Sequence, residues 1–96
     1  MSDERAFYVL AYDISDDRRR LKIARLMESL GERVQESVFE AYLTPRELDR
    51  LLRRVERLLE SQEDSVRVYR LCGACRGMIR TLGRAQLTPP PGVIIV

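Results

Sequence analysis

The chain of 96 residues is 45% hydrophobic and 33% charged, with a net charge of +2, which is typical of one small soluble domain and excludes a disordered or fibrous protein. It contains no histidine, so a His-based triad is excluded and chemistry must depend on carboxylates, hydroxyls, cysteines, arginines or an oxygen-bound metal ion. No apolar run is long enough to cross a bilayer and the start, "MSDERAF", lacks the pattern of a secretion signal, so we expect a cytoplasmic protein without membrane contact.

The first predicted element is a β-strand over "FYVLAYD", residues 7–13. Strand residues alternate between faces, and every position before the aspartate is apolar, which predicts a central strand covered on both sides. A helix is predicted next, from about Asp16 to Leu30. Ser15 can cap its start, the two following aspartates complement the helix dipole, and Gly31 can end it.

A second strand is predicted over Arg33 to Leu43, where imperfect alternation indicates an irregularity near Glu36. The next segment, "TPRE", is typical of a helix start, because Thr44 can cap the helix and Glu47 can complete a capping box. Leucines and a valine then recur at helical spacing to about residue 61.

The remaining predicted elements are strands. "SVRVYRL" (65–71) is followed by a weaker strand over Met78 to Arg84, and the proline segment "LTPPPG" leads to a short terminal strand, "VIIV" (93–96). We expect a single domain over residues 1–96, with its core in 1–85 and a proline-rich tail in 86–96.

The pattern of elements predicts an α+β, ferredoxin-like βαββαβ sandwich with a short extra C-terminal strand. Right-handed crossovers place both helices on one face of the sheet and leave the other face bare. Since the first strand is apolar on both sides, we expect a homodimer that covers the open face. The terminal "VIIV" suits addition to the partner's sheet edge, and the alternative is that it returns to its own sheet.

The segment from Tyr12 to Leu43, "YDISDDRRRLKIARLMESLGERVQESVFEAYL", resembles the small CRISPR-associated endoribonuclease family, the lesser subunit of the spacer-acquisition machinery. The matching pieces are "YDI" with two aspartates after the first strand, the basic "RRRLKIA" helix start, and the glycine before "RVQ-SVFE". The hydrophobic helix after "L-P-EL" also matches. The match runs through nearly the whole chain in order and length.

The resemblance implies a homodimer in which the aspartate that ends the first strand, Asp13 here, faces its symmetry mate and binds Mg²⁺ or Mn²⁺. It also implies a metal-dependent endonuclease acting on single-stranded RNA or duplex DNA, with a CRISPR integrase subunit as partner. Two copies of Asp13 would suit Mg²⁺, which takes one or two carboxylates and keeps several waters. The alternative is that Asp13 only caps the following turn.

The resemblance further implies nucleic-acid contacts at six positions. The basic positions are Arg20, Lys22 and Arg33, and lysine at position 22 departs from the arginine often found there, so it loses the bidentate fork. Tyr12 and Phe39 correspond to aromatic positions that could stack on bases, with core or dimer packing as the alternative. Ser37 matches as a phosphate hydrogen-bond donor, or as a packed hydroxyl.

Cys72 and Cys75 form a C-x-x-C pair. The interpretations considered are reduced thiols in a turn, a strained disulfide, and a zinc site that would need two chains because one chain has no histidine to complete it. A thioredoxin-like motif, which normally opens a helix after a strand, is not excluded by Gly73 and Ala74.

Four functions compete. The first two are a metal-dependent nuclease of CRISPR adaptation and a non-catalytic DNA-binding scaffold of the integrase complex. The others are a related ribonuclease toxin and a ferredoxin-like regulator that binds a small ligand. The sequence leaves open the choice between RNA and DNA.

Overall fold

The computed structural model describes residues 4–89 and confirms the predicted ferredoxin-like α+β fold. Its four-stranded antiparallel sheet has the order β2-β3-β1-β4, and two long helices pack on one face. The elements are β1 (Ala6–Asp13), α1 (Asp17–Glu28), β2 (Glu32–Gln35), β3 (Val38–Leu43), α2 (Pro45–Leu58), β4 (Ser65–Leu71) and the short α3 (Gly73–Arg76).

The core lies between the sheet and the two long helices. Alternate residues of the central strands β1 and β3 point toward the helices, because successive strand side chains face opposite sides of a sheet. The buried strand residues are Tyr8, Leu10, Tyr12, Phe39, Ala41 and Leu43, and they pack against Ile23, Ala24, Met27, Leu51 and Val55 of the helices. Among the described residues no helix has the length and apolarity required to span a bilayer.

The predicted capping box of α2 is confirmed. The Thr44 hydroxyl accepts a hydrogen bond from the Glu47 backbone N–H at 3.2 Å, and the Glu47 carboxylate accepts one from the Thr44 N–H at 2.8 Å. This hydrogen bond from the Thr44 backbone lowers the pKa of Glu47. The reciprocal bonds satisfy two donors that the start of a helix otherwise leaves unpaired.

The prediction that Ser15 caps α1 is wrong. Asp16 has the extended backbone of a capping residue, and its carboxylate accepts a hydrogen bond from the Arg19 N–H at 2.9 Å. That bond lowers the pKa of Asp16. The helix also ends earlier than predicted, at Glu28. Gly31 instead permits a close approach, because a Cβ there would lie 2.6 Å from the Glu40 carbonyl oxygen.

The predicted strand over Arg33 to Leu43 is two strands. The irregularity near Glu36 is a hairpin turn between β2 and β3, with a register shift between Arg33 and Gln35. The strand predicted over Met78 to Arg84 is wrong: this segment carries no strand, and Gly83 has a φ of 69°, which lies far from strand backbone. The predicted terminal strand over residues 93–96 lies outside the described residues.

The sheet face opposite the helices is covered at one end only. The Arg76 guanidinium lies 5.7 Å from the ring centre of Phe7 and 5.2 Å from that of Tyr42. Farther along the chain, the Thr88 hydroxyl donates a hydrogen bond of 2.6 Å to the Glu40 carboxylate. The segment after β4 therefore shields the end of the face near the start of β1, and leaves the end near Asp13 open.

Candidate metal and nucleic-acid site

Asp13 is exposed at the end of β1, on the open face of the sheet. It pairs with Ser65 of β4, which is also exposed. Within residues 4–89, its carboxylate makes no hydrogen bond or ion pair with another residue. An aspartate that caps a turn would accept a backbone hydrogen bond, so this geometry favours a carboxylate that is available to a ligand.

The turn between β2 and β3 lies beside Asp13. The Tyr12 backbone N–H donates to the Ser37 carbonyl oxygen at 3.1 Å, which extends the pairing of β1 with β3 to the turn. The two segments and the first turn of α1 form a shallow cavity of about 310 Å³. Its lining residues are Tyr12, Asp13, Ile14, Arg20, Glu36 and Ser37.

The carbonyl oxygen of Glu36 fixes this turn in place by accepting three hydrogen bonds. The Tyr12 hydroxyl donates at 3.1 Å, and Arg33 donates from Nε at 3.0 Å and from Nη2 at 2.6 Å. The third nitrogen of Arg33 lies 3.6 Å from the Glu28 carboxylate. Arg33 and Tyr12 therefore position the turn that carries Ser37, a role that the sequence did not indicate.

Arg20 is the basic side chain that the fold brings to the cavity. Its Nη1 donates to the Ile14 carbonyl oxygen at 2.9 Å, and its Nη2 pairs with the Asp17 carboxylate. Its side chain is 42% exposed. Because a guanidinium carries five N–H donors, these contacts hold its position and leave donors for an external anion.

Lys22 does not reach the cavity. It lies on the exposed face of α1, at helical spacing from Arg18 and Arg25, which are also exposed. These three cations form a separate surface on α1. A nucleic-acid strand would have to contact both this exposed surface of α1 and the cavity to involve Lys22 and Arg20 together.

The two candidate aromatic residues are core residues in this chain. Phe39 is 0% exposed and Tyr12 is 5% exposed, and their rings stack with centres 6.1 Å apart on the helix side of the sheet. This placement does not fit stacking on nucleic-acid bases. It agrees with the alternative considered from the sequence, that an aromatic residue in a strand packs in the core.

Arg19 is held by acids within the chain. Its guanidinium forms a two-point contact with Asp64, at 2.8 Å from Nε and 3.3 Å from Nη2, and the Asp64 side chain is 0% exposed. The Glu60 backbone N–H also donates to Asp64, at 3.0 Å. These bonds lower the pKa of Asp64, with the Arg19 contact the largest cause. Arg19 thus fastens α1 to the loop before β4.

Within the part of the chain that the structure describes, two acidic residues line this cavity, Asp13 and Glu36. Among the described residues there is no group of three histidine, cysteine or acidic side chains close enough to hold a metal. Mg²⁺ usually binds through one or two carboxylates and keeps several waters. The exposed, unpaired Asp13 fits as one such ligand, and a second chain could supply the other.

Comparison with known proteins identifies close relatives. The family model described as CRISPR associated protein Cas2 matches residues 6–79. A curated relative from Synechocystis, named CRISPR-associated endoribonuclease Cas2 3, is 47% identical over 89 residues, which cover 93% of this chain and 97% of the relative.

Two solved structures share the fold. Cas2 from Streptococcus pyogenes has a TM-score of 0.72 at 30% identity, covering 80% of this chain and 99% of that one. A chain of a structure titled "Partial Cas6-RT-Cas1--Cas2 complex" has a TM-score of 0.75 at 26% identity, covering 95% of this chain and 99% of that one. Both TM-scores show that the overall fold of this chain is shared with the two solved structures.

Proposed function

The chain belongs to the CRISPR-associated Cas2 family, and on this premise we propose that it acts in CRISPR adaptation as a homodimer that binds nucleic acid and cleaves phosphodiester bonds with Mg²⁺ or Mn²⁺. The observation that carries the proposal is the exposed, unpaired carboxylate of Asp13 at the uncovered end of the open face. The endoribonuclease name of the Synechocystis relative supports the choice of reaction.

The dimer is inferred from the open face itself. Near Asp13 this face presents the half-buried apolar side chains of Val9, Ala11 and Val38, and Tyr69 is 49% exposed. A two-fold interface places the same patch of both copies in contact. If the axis passes near the end of β1, each Asp13 meets its mate, and a divalent cation between them removes their mutual repulsion.

The bound ion would offset negative charge on a phosphodiester and lower the pKa of an attacking water. The chain's own residues would bind and orient the substrate. Arg20, fixed at 2.9 Å to the Ile14 carbonyl, presents its remaining donors beside Asp13. Ser37 lines the same cavity, and a serine hydroxyl can donate a hydrogen bond to a phosphate oxygen. The contacts of Arg33 and Tyr12 with Glu36 keep Ser37 in place.

A second candidate function is a DNA-binding scaffold that joins integrase subunits without cleaving nucleic acid. The relative in the solved complex, whose title names Cas1 together with Cas2, supports this role and an integrase partner. It is also favoured because the described residues contain no group of three side chains that could hold a metal ion. In the scaffold, arginine contacts to phosphates would provide the binding energy.

Replacing Asp13 by asparagine tests the proposal, with Asp49→Asn as the control because Asp49 is an exposed aspartate of α2 remote from the cavity. Cleavage of RNA and of duplex DNA is measured with Mn²⁺, and nucleic-acid binding is measured without it. The enzyme is supported if only Asp13→Asn loses cleavage and all three proteins bind equally. Cleavage that persists in highly purified Asp13→Asn protein would contradict the catalytic assignment. Binding without cleavage by the unaltered protein would favour the scaffold.

A further inference from the structure

Cys72 and Cys75 place two thiols together on the surface directly after β4. Both are exposed and unoxidised. The Cys75 backbone N–H donates to the Cys72 sulfur at 3.4 Å, and the Cys75 side chain also hydrogen bonds to Cys72. The two sulfur atoms are therefore neighbours before any bond joins them.

The two thiols differ in their ease of ionisation. The hydrogen bond from the Cys75 backbone lowers the pKa of Cys72, because it favours the charged sulfur. The hydrogen bond to Cys72 and the charge of that sulfur raise the pKa of Cys75. Since the thiolate is the reactive form of cysteine, Cys72 is the first nucleophile of the pair.

The composition of the chain limits the other uses of these thiols. The chain has two cysteines and no histidine, so an intrachain disulfide has one possible pairing. A structural zinc site takes four ligands, of which one chain supplies these two sulfurs. Reversible formation of an intrachain disulfide needs only two neighbouring thiols, and the fold provides them.

We propose that Cys72 and Cys75 form a reversible dithiol–disulfide site that reacts with low-molecular-weight disulfides. The Cys72 thiolate attacks one sulfur of the disulfide, which forms a mixed disulfide and releases the other half as a thiolate that takes up a proton. The Cys75 thiol then loses its proton and attacks the Cys72 sulfur. The second half leaves as a thiol. The protein is oxidised by two electrons, and one small disulfide is reduced to two thiols.

The disulfide would constrain the turn that positions Arg76 on the open face of the sheet. Arg76 follows Cys75 directly, and its backbone N–H donates to the Cys72 carbonyl at 2.8 Å. Its guanidinium covers the rings of Phe7 and Tyr42. A bond between the two sulfurs closes the turn that places Arg76 there. The proposal is independent of nuclease activity and of the metal ion.

The full-length protein is incubated with oxidised glutathione, alkylated and analysed by mass spectrometry under denaturing conditions. We expect the mass of a single chain that has lost two hydrogens and carries no alkyl label. Treatment with dithiothreitol should return the two hydrogens and make both thiols available to the alkylating reagent. Two stable glutathione adducts on one chain, a disulfide between chains, or no reaction would each overturn the proposal.

Single substitutions identify the order of attack. Cys75→Ser should retain one glutathionyl group on Cys72, because the second thiol is missing, and Cys72→Ser should react several-fold more slowly at Cys75. Both positions are exposed, and circular dichroism checks that each variant is folded. Equal rates in the two variants would overturn the assignment of Cys72 as the first nucleophile.

Discussion

Arg20 and Ile14 are joined by a hydrogen bond of 2.9 Å from the guanidinium to the backbone carbonyl oxygen. Ile14 is the residue after Asp13, so this bond holds a cation beside the carboxylate at the end of β1. The neighbouring Asp17 pairs with the same guanidinium. The same cavity is thus lined by an unpaired carboxylate, that of Asp13, and by the Arg20 guanidinium, which keeps some N–H donors free.

Arg20→Ala should weaken nucleic-acid binding without regard to sequence. If Arg20 neutralises one phosphate, the slope of log affinity against log salt should become shallower by about 0.9 for duplex DNA. Binding is measured by fluorescence anisotropy over a range of salt concentrations. Arg46→Ala is the control, since Arg46 is exposed in the first turn of α2, which follows Leu43 at the end of the sheet opposite Asp13. A slope identical to that of the unaltered protein would remove Arg20 from the interface.

Tyr12→Phe should lower the free energy of unfolding by about 0.5–1.5 kcal/mol, the usual value of one hydrogen bond, because the hydroxyl donates to the Glu36 carbonyl. Urea denaturation measures the change. Tyr8→Phe is the matched control: Tyr8 is also buried in β1, and its hydroxyl has no hydrogen-bond partner within residues 4–89. Equal effects of the two substitutions would show that the hydroxyl of Tyr12 does not hold the turn.

Asp64→Asn should destabilise the protein at neutral pH and much less in acid. The pKa of Asp64 is lowered in the folded state by Arg19, so its contribution is complete above the unfolded value of about 3.9. It is lost as the pH falls through the lower, folded pKa. Unfolding free energies of both proteins are measured from neutral pH into acid. A difference that stays constant across that range would refute the charged contact.

Structural features that are specified by residues close together in the chain could be predicted from the sequence. The capping box of Thr44 and Glu47 spans one helical turn, and the unbroken apolar run of β1 indicates a central strand. The position of Asp13 at the end of β1 follows from the same pattern.

The features that the sequence missed depend on distant parts of the chain or on backbone geometry. Arg19 and Asp64 are 45 positions apart, so nothing in the run of arginines indicates that one of them is paired with a buried acid. Phe39 matches a candidate contact position, yet the sheet register turns its ring toward the helices. The apolar residues near Met78 suggest a strand, and the left-handed backbone of Gly83 opposes it.

The central claim is that two chains share one divalent ion through their two Asp13 carboxylates. Mn²⁺ binding, followed by electron paramagnetic resonance of the free ion on protein whose mass is known from light scattering, tests it most directly. The account predicts a dimer that binds one ion for every two chains, and a dimeric Asp13→Asn variant that binds none at this site. A monomeric protein, one ion for every chain, or undiminished binding by the variant would contradict it.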